Sequence, residues 1–187
     1  MNLLLLILGS LALKAAAHGA VTSLTPRVIG AASLAACGTG AYTVLKSDKF
    51  GPIENVVKKI DSAYNATACH IYFCKGYQLE DNVKTTRVYA PGTVVNMLVD
   101  IEAHHTGHAN VSIVNLVTQT RIGAALMNWP VYANDSLGPP DRPKNETDFN
   151  ITIPALGTAC AGPGLCAIQW WWFGNNQMFE SCVDFTQ

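Results

Sequence analysis

Between residues 93 and 185 the chain repeats one pattern, a short run of β-branched or aromatic residues followed by a turn. Residues 93–101 (TVVNMLVDI), 110–117 (NVSIVNLV), 148–153 (DFNITI), 167–173 (AIQWWWF) and, more loosely, 177–185 (QMFESCVDF) carry strand-favouring side chains. Ala90-Pro91-Gly92, Thr118-Gln119-Thr120 and Gly174-Asn175-Asn176 supply turn chemistry between them. Several short strands at this spacing predict an all-β fold, an antiparallel β-sandwich. The first third is less regular. Ile53, Val56, Val57, Ile60 and Tyr64 fall at helical spacing behind Pro52, which predicts one short helix over 52–64 within a long N-terminal loop region.

The first seventeen residues do not belong to that pattern. Leu3 to Leu8 and Leu11 to Leu13 form an apolar core, and Ala15-Ala16-Ala17 places small residues where a signal peptidase reads. Residues 1–17 therefore read as a signal peptide, and residues 18–187 as one domain large enough for a real core. The rest of the sequence fits an extracellular, secreted protein. Asn65, Asn110, Asn134, Asn145 and Asn150 each open an Asn-x-Ser/Thr sequon, and glycans would aid solubility in a chain with only 13% charged residues. Cys37, Cys69, Cys74, Cys160, Cys166 and Cys182 make an even count in an oxidising compartment, which reads as three disulfides with fifteen pairings open. Zinc pairs are disfavoured, because neither Cys69/Cys74 nor Cys160/Cys166 has two-residue spacing. A formal net charge of −1 and the lack of a basic run argue against nucleic acid or anionic membranes, and no later apolar run reaches the length of a membrane span. A monomer is expected.

Removing the leader would leave His18 at the amino terminus. Such a residue offers a metal two neutral nitrogens, its amine and ring Nδ1, and one more imidazole completes three nitrogens in a T. Nitrogen donors in a tetragonal arrangement favour Cu(II). His104, His105 and His108 crowd the connection between two expected strands, where binding groups on a sandwich usually sit. Beyond the turn at 174–176, Gln177 and Phe179 share one strand face and Met178 takes the other.

These residues resemble the lytic polysaccharide monooxygenases and their relatives carrying a type-4 chitin-binding domain, in a fungal-like form. His18-Gly19 opens the mature chain, His105-Thr106-Gly107 resembles the family's His-x-Gly before a strand, and Gln169-Trp170-x-Trp172 is similar to a motif of the chitin-active fungal branch. Gln177 to Cys182 is similar to the family's closing motif. The resemblance covers most of the mature chain, but residues 37–64 find no match. It implies an immunoglobulin-like β-sandwich, copper as cofactor, and His18 and His105 as ligands of a histidine brace, with His104 and His108 as rivals for the second place. It also implies that Phe179 holds the axial position, where fungal relatives usually have tyrosine, and that Gln177 orients an oxygen species. The implied reaction hydroxylates a C–H bond beside a glycosidic linkage of an insoluble polysaccharide, chitin or cellulose, with an external electron donor.

Two other functions compete with this one: a non-catalytic extracellular copper-binding protein using the same brace, and a metal-free chitin- or carbohydrate-binding module. Strand alternation sends Ile168, Trp170 and Trp172 into the core and Trp171 to the opposite face. Tyr42, Trp129 and Tyr132 fall in loop-like stretches and are candidates for a flat binding face. Asp81, Glu102 and Glu180 could be imagined as glycosidase carboxylates, but nothing pairs them, so they read as solvated charges. Copper and protons compete for the brace, since an α-amine titrates near ~8 and an imidazole near ~6.5. Copper affinity should fall steeply below about pH 5, and metal titration of the apo protein at two pH values checks this.

Overall fold

The computed structural model describes residues 18–187; the expected signal peptide lies outside the described residues. In chain order the elements are β1 (His18–Val21), α1 (Ala31–Ser47), α2 (Ile53–Val57), α3 (Ala66–Cys69), β2 (Arg87–Val88), β3 (Val94–Ala103), β4 (Gly107–Asn115), β5 (Thr120–Tyr132), β6 (Asp148–Thr152), β7 (Cys166–Gly174) and β8 (Gln177–Thr186). They form the expected sandwich of two sheets, one ordered β1-β3-β6 and the other β2-β8-β7-β4-β5. All pairings are antiparallel except the short β2–β8 ladder.

Alternation places the core. Along β3, Val95, Met97, Val99 and Ile101 point inward and their neighbours face solvent. They meet Val111, Ile113, Trp170, Trp172, Phe179 and Val183 from the larger sheet. Trp170 and Trp172 are buried as expected, and Trp171 is half-buried on the opposite face.

β5 was not legible as a strand. Gly123-Ala124-Ala125 and Pro130 break its β-rich pattern, and the register against β4 slips between Val111 and Ile113 to absorb the extra residues. Its place at the sheet edge tolerates the proline. This corrects the reading of two aromatics. Trp129 and Tyr132 are core residues rather than parts of a binding face, and Tyr132 donates its hydroxyl to Glu146 O at 2.6 Å. Tyr42 sits half-buried on α1, with the Lys46 ammonium 5.6 Å from its ring centre.

The N-terminal region holds more helix than its sequence announced. α1 is broken at Gly38, whose φ of 77° suits glycine. Its N-terminus is capped from far along the chain, since Asp81 accepts from Ala32 N, Ser33 N and Ser33 Oγ at 2.7–2.9 Å. Asp81 is thus a capping group rather than a solvated charge. The helix expected over 52–64 narrows to α2, and Asn65 caps α3 by accepting from Thr67 N and Ala68 N.

Disulfides join the layers. Cys37–Cys69 ties α1 to α3, Cys74–Cys182 ties the helical region to β8, and Cys160–Cys166 closes the loop before β7. Arg27 adds a buried bidentate pair to Asp184 on β8 at 2.6 and 2.7 Å, and also donates to Tyr77 O. Glu180 is buried too, accepting from Lys75 N at 3.0 Å, which overturns its reading as a surface charge. Glu102 is exposed as expected.

Burial pushes the Glu180 carboxyl up to about 8, with the bond from Lys75 N and the Lys75 charge opposing. Between about pH 4.5 and 8 the folded chain therefore keeps a proton that the unfolded chain has released, so stability falls as pH rises through this window. Glu180→Gln should flatten that slope, which cannot exceed about 1.4 kcal/mol per pH unit for one proton. Urea denaturation across the window measures it.

Candidate metal centre

His18 opens β1 and is half-buried. Its backbone lies opposite Ala103 at the end of β3, two residues before His105. The register shifts between His18 and Gly19, and Gly19 N donates to Phe50 O at 3.0 Å. A β-carbon at Gly19 would sit 3.1 Å from the edge of Trp172 and 3.3 Å from Trp170. Glycine here lets β1 close onto the two indoles.

The His18 ring is fixed from outside the sandwich. Its Nε2 lies 3.0 Å from Asp48 Oδ2. A carboxylate only accepts, so Nε2 is the donor, and a neutral ring bonded this way has its lone pair on Nδ1. Asp48 is itself held, its Oδ1 accepting from Phe50 N at 3.0 Å and Gly51 N at 2.8 Å. The same loop receives the Lys75 ammonium, which donates to Lys49 O at 2.6 Å. Burial lowers the Lys75 amine to about 8, against the attraction of Asp48 and Glu180. Asp48 was missed in the sequence because it follows α1 in a stretch with no recognisable pattern.

His105 lies in the β3–β4 connection, pressed against the β7–β8 hairpin. That hairpin turns on Asn175 and Asn176, both at positive φ (51° and 56°), a two-residue turn between paired Gly174 and Gln177. A β-carbon on Gly107 would stand 2.0 Å from Phe173 O, and one on Gly174 would stand 2.6 Å from His105 O. Both glycines are demanded by the contact between the two loops. Asn175 Nδ2 lies 3.5 Å from His105 Nδ1, and Thr106 Oγ1 donates to Asp135 Oδ1 at 2.7 Å.

The rival histidines have other surroundings. His104 lines a cavity with Asp100, Arg142 and Glu146, where burial, then Arg142, holds its imidazole below the usual range against Asp135. His108 lies on the outer face of the larger sheet, 5.2 Å from Trp171 between ring centres. Of the three, His105 is bound to the hairpin that starts β8.

Gln177 and Phe179 occupy one face of β8, as alternation required. Phe179 is fully buried and stacks on Trp172 with ring centres 4.3 Å apart, and Gly19 lies at the edge of the same indole. Met178 turns the other way and packs against the helical region. The Gln177 Oε1 is buried and has no hydrogen-bond partner among the described residues. A buried amide oxygen without a partner costs ~1–3 kcal/mol, so a site that leaves one is suited to a polar ligand.

His18 and His105 each bring an imidazole, and His18 adds an amine if the chain begins there; nitrogen donors of this kind fit copper. Among the described residues no three His, Cys, Asp or Glu side chains converge as a conventional metal cage. A brace does not need one.

No protein-family model matches the chain, and no curated protein matches it in sequence. Among solved structures it is similar to an AA10 lytic polysaccharide monooxygenase (LPMO) from Streptomyces lividans, at 16% identity and a TM-score of 0.42 over 65% of this chain and 74% of that one. It is also similar to a chitin binding domain from Burkholderia pseudomallei, at 13% identity and a TM-score of 0.40 over 91% of this chain and all (100%) of that one. Both overlaps are loose, and neither decides what this site does.

Asp48→Ala should release the His18 ring. Long-range ¹H–¹⁵N correlation spectra of the apo protein should then change from the Nε2–H tautomer to a mixture. Copper affinity should drop about 10–100-fold, as for other groups that orient a metal-bound histidine.

Proposed function

We propose that signal-peptide cleavage leaves His18 at the amino terminus of a secreted protein. One copper ion would then be held by the His18 amine, His18 Nδ1 and His105, making a polysaccharide monooxygenase related to the lytic family. The observation that supports this reading best is the His18–Asp48 bond. It sets the tautomer an N-terminal chelate requires, on a residue registered beside the His105 loop.

Each residue then has a physical task. Asp48 holds the His18 proton at Nε2 and stops the ring from turning. The β7–β8 hairpin fixes the backbone of His105 through Gly174. Gln177 turns its unpaired amide oxygen to a small reactant and orients it by accepting a hydrogen bond. Phe179 and Trp172 stack as a largely apolar floor, in which the Trp172 indole N–H is the one polar group. Bound copper supplies the one-electron oxygen chemistry, with electrons from an external donor. The substrate class is an insoluble polysaccharide, chitin or cellulose, with the C–H bond beside the glycosidic linkage as target.

Intact-mass analysis of secreted protein should find His18 at the terminus and one copper per chain. Incubation with ascorbate and chitin or cellulose should release oligosaccharides with oxidised ends. His105→Ala should abolish copper binding, whereas Gln177→Ala should keep copper and lose at least about tenfold in oxidised product. Copper without oxidised product would leave a copper carrier, and no copper would leave a metal-free carbohydrate-binding module.

A further inference from the structure

The outer face of the five-stranded sheet is only partly covered. Over β8 the helical region packs against it through Met178, Glu180, Cys182 and Asp184. Over β7 and β4 three aromatic rings form a ledge. Trp171 and Phe173 lie within 9° of parallel at 6.1 Å, and His108 adjoins both at 5.2 and 5.9 Å. The strand puts all three on the face away from the core, and Trp171 and Phe173 are half-buried. Beside the ledge is a cavity of about 430 Å³, lined by Tyr72, Asn110, Ser112, Arg121, Gln169 and Trp171. That falls within the ~300–1,000 Å³ of small-ligand pockets.

Asn110 is the asparagine of the sequon Asn110-Val111-Ser112, and in the β4–β7 ladder it lies directly opposite Trp171. Its Oδ1 accepts from Ser112 Oγ at 2.9 Å, and its Nδ2, the atom a glycan would be attached to, makes no side-chain hydrogen bond among the described residues. By contrast, Asn65, Asn145 and Asn150 are exposed, and Asn65 Oδ1 caps α3.

We propose that an N-linked glycan on Asn110 folds back onto this face, its first pyranose rings packed across Trp171 and Phe173. The C–H face of a pyranose is apolar enough to cover aromatic surface, while Gln169 and Arg121 meet its hydroxyl and acetamide groups. Attachment holds the sugar at an effective concentration in the millimolar range, so it occupies the ledge ahead of a dilute saccharide from solution. The glycan thereby becomes part of the fold. The inference rests on the secretory passage proposed above and is independent of copper.

The full chain is secreted from a eukaryotic host as wild type, Ser112→Ala, Trp171→Thr and the double variant. Intact-glycopeptide mass spectrometry should find Asn110 occupied. Ser112→Ala should lower the melting temperature by about 2–4 °C more when made in the wild type than when made in the Trp171→Thr variant. The cycle cancels loss of the Ser112 hydroxyl itself. Soluble chito-oligosaccharide should quench tryptophan fluorescence in Ser112→Ala and leave the glycosylated wild type unchanged. Enzymatic removal of the glycan from folded wild type, read by acrylamide quenching, should expose Trp171 without any substitution. Glycans at other sequons but none at Asn110, an additive cycle, equal quenching with and without the glycan, or no gain in exposure would each overturn the proposal. Glycans at no sequon would overturn the secretory reading along with it.

Discussion

β8 is buried on both faces, and the rest of the molecule is arranged around that constraint. Its inner face gives Phe179, Val183 and Phe185 to the sandwich core. Its outer face lies under the helical region, so each polar or reactive group there needs a specific partner. Glu180 takes Lys75 N, Cys182 bonds to Cys74, and Asp184 takes both arms of Arg27. Buried polar groups need hydrogen-bonded partners, so these contacts fix the register of the helical region on the sheet. Gln177, at the start of the strand, inherits its position from all of them.

The candidate metal centre is thus joined to the sandwich from one side and to the helical region from the other. Gly19, Gly107 and Gly174 let three backbone segments approach more closely than any side chain would permit. The loop after α1 reaches β1 twice, through Asp48 to the His18 ring and through Phe50 O to Gly19 N. Lys75, anchored beside Glu180, holds that loop by the Lys49 carbonyl. The ring of His18 is therefore positioned from the helical region as well as from its own strand.

What could be read from the sequence was whatever depends on local pattern. Period-2 alternation gave five of the strands and sorted Trp171 from Trp170 and Trp172, because each face of a strand has one environment. The turn at Asn175-Asn176 was legible because positive φ selects few residues. β5 was not, because an edge strand with a bulge and a proline has weak periodicity. The cap of α1 comes from Asp81, about fifty residues away, so no local signal marks the start of that helix. Glu180 looked like a surface charge because burial by a second layer leaves no trace in the alternation of one strand. Asp48 was hidden for the same reason, its value lying wholly in what the fold brings to it.

Cys74 and Cys182 are separated by 108 positions, and the second lies on β8. The helical segment leaves the ribosome long before the strand it must dock on. Until β8 is translated, Arg27 lacks Asp184, the Lys75 amide lacks Glu180 and Cys74 lacks Cys182, and the larger sheet lacks an inner strand. Cys37 and Cys69 both precede β8 and can pair without it, whereas Cys74 has to wait for Cys182. The architecture thus makes docking of the helical region wait on the arrival of one strand.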